Sequence, residues 1–515
     1  MMAAIESGAD QAGSRKLIGR ASIVAAGGVY RQGISFVSGL IIARVIGASD
    51  YGIFNLARSL VEAVGIFTRL GLDLGLQRYF GETHADRYRS SRALVLRRVR
   101  LLAITFSMLP VIAVALGLGR FLGENVYHYP GFAEVLLCLA LVLPFTTDLA
   151  VLGGAYRGIL KLAPSVIAES VLLPTIRLAA IVVLFVAGWR LWAVVGGTAL
   201  ASVLAAAFLA MRARSDFGDG AAAAAEPRSW QDAIGVVRYS TVLAGSMVAT
   251  SLTTNMDTFM LGHFATSQDL GQYSLVKTLL ILTGVFGLAF GQGLEALVAD
   301  RYFRADLDGM VRVMSLTARL IALVTVPIFA VFMFWGAQLA LLFGPSFAAP
   351  QAVVSWLAAC PLVSMVFWPS ACGLSMTGKH VLELKILSAG LVIATILCWV
   401  AVPAFGQLGA AIAMFVSVAI TNLARVLFVR RYIGRFPFGL DIFLITAAGV
   451  ALAAGSSVIV SHLSLPALWN TVVGSGCFVL AYAVTCWMRL LSDSEKSGIR
   501  ALVANAAPIL FGRRT

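Results

Sequence analysis

GASDYGIFNLARSLVEAVGIF occupies residues 47–67, and TSQDLGQYSLVKTLLILTGVF occupies residues 266–286, an offset of 219 positions. At this offset Asp50 matches Asp269, Gly52 matches Gly271, Phe54 matches Tyr273 and Leu56 matches Leu275. Arg58 then matches Lys277, Gly65 matches Gly284 and Phe67 matches Phe286. So many matches at one fixed offset mark an internal repeat. Each copy opens on small and polar residues and passes into an apolar run, so the unit that repeats is a turn leading into a membrane helix.

Working outward, the rest of the 515 residues has the same character, with 59% hydrophobic and only 12% charged. An ordinary soluble domain is roughly 25% charged. A soluble fold of this composition lacks the polar surface to stay in solution. Runs of about 20 apolar residues, the length that crosses a hydrocarbon core, occur at 21–44, 52–77, 101–119, 132–153, 163–187, 191–211 and 239–262. They continue at 273–298, 313–335, 352–376, 384–402, 408–429, 441–461 and 467–488, which predicts about fourteen spans. The first run is too long for a cleaved signal peptide and is kept as a span.

The formal net charge of +14 raises the question of nucleic acid, but no long basic run interleaved with aromatics occurs, and no nucleic-acid partner is expected. Position explains the charge better. Placing the N-terminus in the cytoplasm puts most of the 39 Lys and Arg in internal segments, while the external loops hold only Arg120 and Arg190. That alternation is the positive-inside pattern, and it predicts both termini in the cytoplasm of a multi-pass cell-membrane protein. The longest external loops, 120–131 and 336–351, leave no room for a folded extramembrane domain.

Six spans separate the repeat copies, so both copies enter the membrane in the same direction. The expected fold is therefore all-α: two six-helix lobes related by a pseudo-two-fold axis along the membrane normal, plus two C-terminal helices. The expected divisions are an N-terminal lobe at 1–211, a cytoplasmic linker at 212–238 with the Ala run 221–225, a C-terminal lobe at 239–430, and the last two helices with a tail at 431–515.

No GxxxxGK[ST] is present, so the chain is not expected to hydrolyse nucleotide. The six cysteines lie in apolar stretches without CxxC spacing and read as packing residues. The Asp306-Leu307-Asp308 triplet reads as a solvated loop, and the five histidines are scattered at helix ends. No metal, cofactor or catalytic residue is expected.

Charges inside spans are costly and mark cavities or partners. Arg31, Arg44, Arg58, Arg69, Arg177, Lys277 and Arg319 stand within spans. Arg58, Glu62, Arg69 and Asp73 fall within about 60° of arc at 100° per residue, which predicts one polar stripe along the second helix. The eighth span repeats the theme with Lys277, Gln292 and Glu295, Gln292 standing at the position of Asp73. Two such stripes on related helices predict a hydrated groove. Arg31, Arg58, Arg69, Lys277 and Arg319 are the candidate substrate ligands, since guanidinium binds phosphate oxygens through paired charge-assisted hydrogen bonds. Glu62, Asp73, Asn255, Asp257, Gln292 and Glu295 are the candidates for ion coupling or cavity lining. Asp257 stands out among them because it has no cation at i±3 or i±4.

GLIIARVIGASDYGIFNLARS (39–59), RLGLDLGLQRYFGE (69–82) and NMDTFMLGHFATSQDLGQYSLVK (255–277) together resemble the lipid-linked oligosaccharide and polysaccharide flippases. These belong to the superfamily that also holds the multidrug and toxic-compound extruders. The resemblance implies a glycan joined through pyrophosphate to a polyprenyl lipid, flipped from the cytoplasmic to the outer leaflet of a bacterial inner membrane by alternating access. It implies surface or extracellular polysaccharide such as exopolysaccharide or O-antigen, with membrane lipids and a polysaccharide polymerase and export machinery as partners. By position on the helices, it implies Arg31, Arg58 and Lys277 for the pyrophosphate. An ion-coupled drug exporter is the alternative, and would have a more acidic cavity. A membrane glycan polymerase or ligase would need larger external loops.

Overall fold

The computed structural model describes residues 2–82, 89–218, 228–280, 294–295, 297–463, 466–490 and 496. The described residues are helical almost throughout. In order they form α1 (Met2–Arg69), α2 (Leu72–Glu82), α3 (Arg89–Ala113), α4 (Phe132–Ala140), α5 (Leu143–Gly158), α6 (Leu162–Val166) and α7 (Leu173–Val186). There follow α8 (Leu191–Phe217), α9 (Arg228–Phe264), α10 (Ser267–Leu280), α11 (Leu307–Leu341), α12 (Gln351–Met376), α13 (His380–Ile433), α14 (Asp441–Ser461) and α15 (Ala467–Thr485).

Two of these are hairpins. Gly47 (φ 79°, ψ 172°) interrupts α1 and Gly406 (φ 55°, ψ −131°) interrupts α13, in conformations that glycine adopts at little cost. In a straight helix Glu383 and Arg425 would stand about 63 Å apart at 1.5 Å per residue. They are instead hydrogen-bonded at 3.0 Å, and Ser417 Oγ donates to the Gly390 carbonyl at 2.9 Å, so α13 folds back on itself. The same reasoning applies to α1, where a Cβ on Gly39 would lie 3.9 Å from the Tyr51 hydroxyl.

Ten units among the described residues are long and apolar enough to cross a membrane, and the two hairpins, Ala26–Gly81 and Val381–Ile433, are the longest at 56 and 53 residues. Most bounds follow the hydropathy reading, as with Leu162–Val186 for 163–187 and Asp441–Ser461 for 441–461. The seventh expected span lies in α9, which is not among the ten; its Thr250, Thr253, Thr254, Asn255 and Asp257 face a cavity and make it too polar. The eighth, 273–298, is described only to Leu280 and again from Leu294, so Gln292 and Gly284 lie outside the described residues, and with them part of the total of fourteen. Within the expected linker, α8 runs to Phe217 and α9 begins at Arg228; the Ala run is outside the described residues.

Two expectations need correction. The external stretch 120–131 is helical as far as Tyr127, because helical structure resumes after a kink at Gly117 (φ 126°, ψ −10°) and runs through the π-helical segment Leu122–Tyr127. The second span is also not one straight helix. Leu70 (φ 48°) and Gly71 (φ 66°) break it, and a Cβ on Gly71 would lie 2.8 Å from the Ser240 carbonyl of α9, so the break lets two backbones pack closely. Asp73 therefore starts a new helix, and the predicted stripe ends at Arg69.

The buried residues form several clusters. One gathers Leu72, Phe80, Val99, Tyr156 and Leu209 from the first half, together with Ala233 and Val236 from the start of α9. Another packs α14 and α15 onto α11 through Val326, Ile445, Phe478 and Tyr482. A third joins the two halves, setting Tyr51, Phe54 and Leu56 against Tyr273, Leu275 and Phe347. Large apolar side chains such as Leu109, Leu116, Val183, Val186, Leu444 and Leu480 are exposed at the periphery. Apolar exposure on that scale needs lipid around it, and the chain is a multi-pass membrane protein.

Candidate functional site

The repeat builds the site. The second arm of α1 crosses α10 so closely that a Cβ on Gly52 would fall 2.2 Å from the Ser267 carbonyl, and one on Gly271 would fall 1.8 Å from the Ala48 carbonyl. Gly52 and Gly271 are repeat equivalents, and so are Ala48 and Ser267. The two contacts are thus copies of each other, as a two-fold axis through the crossing requires. Only hydrogen fits at either position, which is why glycine stands at both. Ser49 and Ser267 hydroxyls meet at 2.6 Å beside the crossing, and Tyr51 reaches Thr278 at 2.8 Å. Around it the halves are joined again by Tyr129, which donates to the Ala265 carbonyl, and by His263, whose Nδ1 meets the Val126 carbonyl.

Six residues beyond the glycines, about 9 Å along each helix, stand Arg58 and Lys277. Below them opens a cavity of about 720 Å³, lined from α1, α9, α10, α12 and α13, a size usual for ligand pockets. Arg58 donates from Nε to its own helix's Glu62 at 2.7 Å, and both side chains stay roughly half exposed, at 40% and 54%. Lys277 is placed differently. Its ammonium donates to the Thr254 carbonyl at 2.9 Å, to Asp257 Oδ1 at 2.9 Å and to Thr258 Oγ1 at 3.0 Å, which uses all three N–H groups. Asp257 is 1% exposed and also accepts from the Tyr273 hydroxyl at 2.8 Å. The cation missing from Asp257's own helix is supplied by the next one.

A third pair sits farther along the cavity. Arg425 donates from Nε to Glu383 at 3.0 Å and from Nη1 to the Asn422 side-chain carbonyl at 3.3 Å, and both charged side chains are largely buried. Sequence reasoning missed Glu383, Asn422 and Arg425. Glu383 precedes its expected span and Arg425 lies near the end of one, so by position both read as interfacial; only the hairpin at Gly406 brings them together.

Of the sequence candidates, Arg58, Glu62, Asn255, Asp257 and Lys277 line the cavity, whereas Arg31, Arg69, Asp73, Arg319 and Glu295 do not. Arg31, Arg69 and Asp73 belong to a separate first-half cluster. There Arg157 reaches Asp73 at 3.5 Å and Glu169 at 3.7 Å, and Glu169 lies in the field of Arg157, Arg31 and Arg69. A π-helical segment, Ile167–Leu172, carries Glu169, and such bulges re-aim side chains within a helix. Arg319 pairs with Asp441 at 3.7 Å and ties α11 to α14. We expect Arg319→Ala to leave transport within about twofold of wild type, since a half-exposed pair of this kind contributes at most about 1 kcal/mol; a loss beyond tenfold at equal membrane abundance would place it in the site after all.

The remaining motifs have structural roles. Asp306 caps α11 by accepting from the Gly309 N–H at 2.8 Å and from Arg301 at 2.8 Å. The Gly309 N–H and then Arg301 bind its charged form and hold its carboxyl below the ordinary range. Asp148 accepts a two-pronged contact from Arg100, at 2.6 and 2.8 Å. The cysteines are free thiols, four of them buried.

The sequence matches the family model for polysaccharide biosynthesis proteins over residues 19–294 and the MatE model over residues 243–400. No curated protein matches it. The solved structure of the lipid II flippase MurJ in its inward closed conformation superposes with a TM-score of 0.70 at 10% identity, covering 90% of this chain and 98% of that one. An inward-facing multidrug resistance MATE family transporter of the MOP superfamily gives 0.65 at 14% identity, over 79% and 98%. An outward-facing member of that family gives 0.54 at 15% identity, over 81% and 95%. At such identities the likeness is one of fold.

Proposed function

The chain belongs to the polysaccharide biosynthesis protein family, and from that premise we propose that it is a flippase for a polyprenyl-pyrophosphate-linked oligosaccharide. The solved proteins that share its fold are transporters and a flippase, so the chain stands among transporters and not among enzymes. In this reading the substrate passes from the cytoplasmic to the outer leaflet of a bacterial cell membrane for surface or extracellular polysaccharide, and both termini are cytoplasmic. A polymerase and export machinery receive the product. Two six-helix lobes, 1–211 and 239–430, alternate about the α1–α10 crossing, while the helices beyond 431 ride on the second lobe.

The observation that carries the proposal is the placement of the cavity. It lies between the repeat copies beneath a symmetric closure, and its wall mixes apolar side chains with hydroxyl, amide and charged groups, as a substrate with a polar head on an apolar tail requires. Within the cavity the diphosphate is assigned to Arg58, and Arg31 and Arg69 of the adjoining first-half cluster, outside its lining, add positive field. Arg58 is half exposed, and Arg69 Nε is buried without a hydrogen-bond partner. Lys277 has no N–H to spare, and it serves Asp257 instead.

Deleting the gene in its host is expected to abolish the surface polymer and to leave lipid-linked glycan on the cytoplasmic leaflet. Arg58→Ala in the restored gene is expected to lower export about 10- to 100-fold, the worth of a charge-assisted hydrogen bond of about 1.5–3 kcal/mol, with Arg58→Lys between the two. Normal polymer in the deletion strain would sink the reading. The MatE match over 243–400 supports a second reading, ion-coupled export of a small amphipathic molecule, for which the deletion would alter drug tolerance and leave the glycan profile unchanged.

A further inference from the structure

We infer, resting on the flippase reading above, that the glycan this protein carries is uncharged, its sugars lying along the second-half wall of the cavity while the diphosphate is held by the first half. On the second-half wall the cavity-lining cations among the described residues are Lys277 and Arg425, and the carboxylates are Asp257 and Glu383. The wall is neutral in sum, and it is also neutral locally, because each cation is bonded to its own carboxylate at 2.9 and 3.0 Å.

The Lys277–Asp257 pair has no hydrogen-bonding capacity left for a charged guest, and the charge of Arg425 is already balanced by Glu383, which it meets through Nε and Nη2 while Nη1 holds Asn422. Lys277 has spent its three N–H groups, and Asp257 accepts from Lys277, Tyr273 and Thr258. A carboxylate on the glycan would draw Lys277 or Arg425 away and strand a buried acid, and an ammonium would do the reverse. Either change leaves an uncompensated charge at low dielectric, which costs several kcal/mol. Neutral sugars meet no such penalty. The same wall offers the Ser364 hydroxyl and the Asn422 amide, and the Thr250, Thr253 and Thr421 hydroxyl oxygens, whose own protons go to backbone carbonyls, as acceptors for sugar hydroxyls. Trp368 adds an indole face against which the apolar face of a pyranose packs.

The first-half cluster has the opposite balance. Arg31, Arg69 and Arg157 surround Asp73 and Glu169, leaving an excess of positive charge. A substrate with a dianionic link and a neutral head fits a site divided in this way.

The test uses the full-length protein in lipid nanodiscs, titrated with four polyprenyl diphosphates. One carries no sugar, one a neutral trisaccharide, one the same trisaccharide with a hexuronate replacing one hexose, and one with a free amino sugar in that place. The neutral trisaccharide lipid is expected to bind at least about tenfold more tightly than either charged one. Equal affinities, or a preference for a charged glycan, would overturn the inference while leaving the flippase reading in place, since the lipids still bind. Failure of all four to bind would remove the flippase reading and the inference with it. Glu383→Gln, which frees Arg425, is expected to erase or reverse the discrimination against the hexuronate lipid, and Glu383→Gln with Arg425→Gln to restore it. Unchanged discrimination in a folded Glu383→Gln protein counts against the inference. If that variant does not fold, the four-lipid comparison on the unaltered chain still decides.

Discussion

Gly271→Leu is expected to reduce glycan export to the level of the deletion strain, a loss on the order of 100-fold or more. A Cβ at this position falls 1.8 Å from the Ala48 carbonyl and 2.6 Å from its carbon. These are backbone atoms at a helix crossing and cannot swing aside as a side-chain tip would. Overpacking a tight interior commonly costs about 1–3 kcal/mol, and more where only backbone can yield; 3 kcal/mol already corresponds to roughly a hundredfold. In the alternating-access reading proposed above, the energy falls on one state of the cycle, the one in which the α1–α10 crossing is closed.

The check is a cysteine pair. Ser49 and Ser267 hydroxyls lie 2.6 Å apart beside the crossing, so Ser49→Cys with Ser267→Cys should form a disulfide readily in the otherwise unaltered chain and far more slowly with Gly271→Leu added. Gly455→Leu, at a glycine facing open space, controls for general damage. Wild-type export by Gly271→Leu, or unchanged crosslinking, would show that the closure is not part of the cycle.

Asp257→Ala is expected to have the second largest effect, destabilising the protein by about 3–5 kcal/mol and abolishing export, because it leaves the Lys277 ammonium buried without its counter-charge. Lys277→Met strands the Asp257 carboxylate, 1% exposed, and should cost a similar amount. Replacing both partners by neutral groups of like volume is often nearly neutral, so Asp257→Asn with Lys277→Met is expected to recover most of the stability and much of the export. Thermal unfolding midpoints and export assays on the two single variants and the double variant measure the coupling directly. A double variant that is stable but exports nothing would mean that the pair itself acts in transport, through Lys277 on the substrate or Asp257 on a coupling ion.

This pair shows what a linear sequence hides. The repeat aligns Lys277 with Arg58, and it is natural to give both one role. The residues that set their roles do not repeat. Glu62 stands four residues after Arg58, where the second copy has Ile281, and Asp257 stands where the first copy has Ser38. Arg58 keeps a partly solvated partner on its own helix. Lys277 is drawn into a buried cage built from the helix before it. Asp257 looked isolated for the same reason: a search at i±3 and i±4 covers one helix, and its cation arrives from a residue 20 positions later.

What the sequence determined by itself is the class of fold and the outline of the site: an all-helical membrane chain, most of its span limits, the repeat, and the axis of symmetry that the repeat implies. These follow from one-dimensional quantities. A hydrocarbon core demands apolar runs of a set length, and an even number of helices between copies fixes their relative direction. Arg58, Glu62, Asn255, Asp257 and Lys277 were legible as cavity residues because charge and amide groups inside a span need a polar surrounding.

Tertiary structure alone decided which of these groups neutralise one another. The break at Leu70–Gly71 separates Asp73 from the stripe it seemed to extend and gives it to Arg157. The reversal at Gly406 joins Glu383 to Arg425 across 42 positions. The packing of α14 on α11 takes Arg319 out of the site. Such pairings depend on contacts between helices, where a shift of a few ångströms makes or breaks an ion pair in a medium of low dielectric, and no pattern along a single helix encodes them.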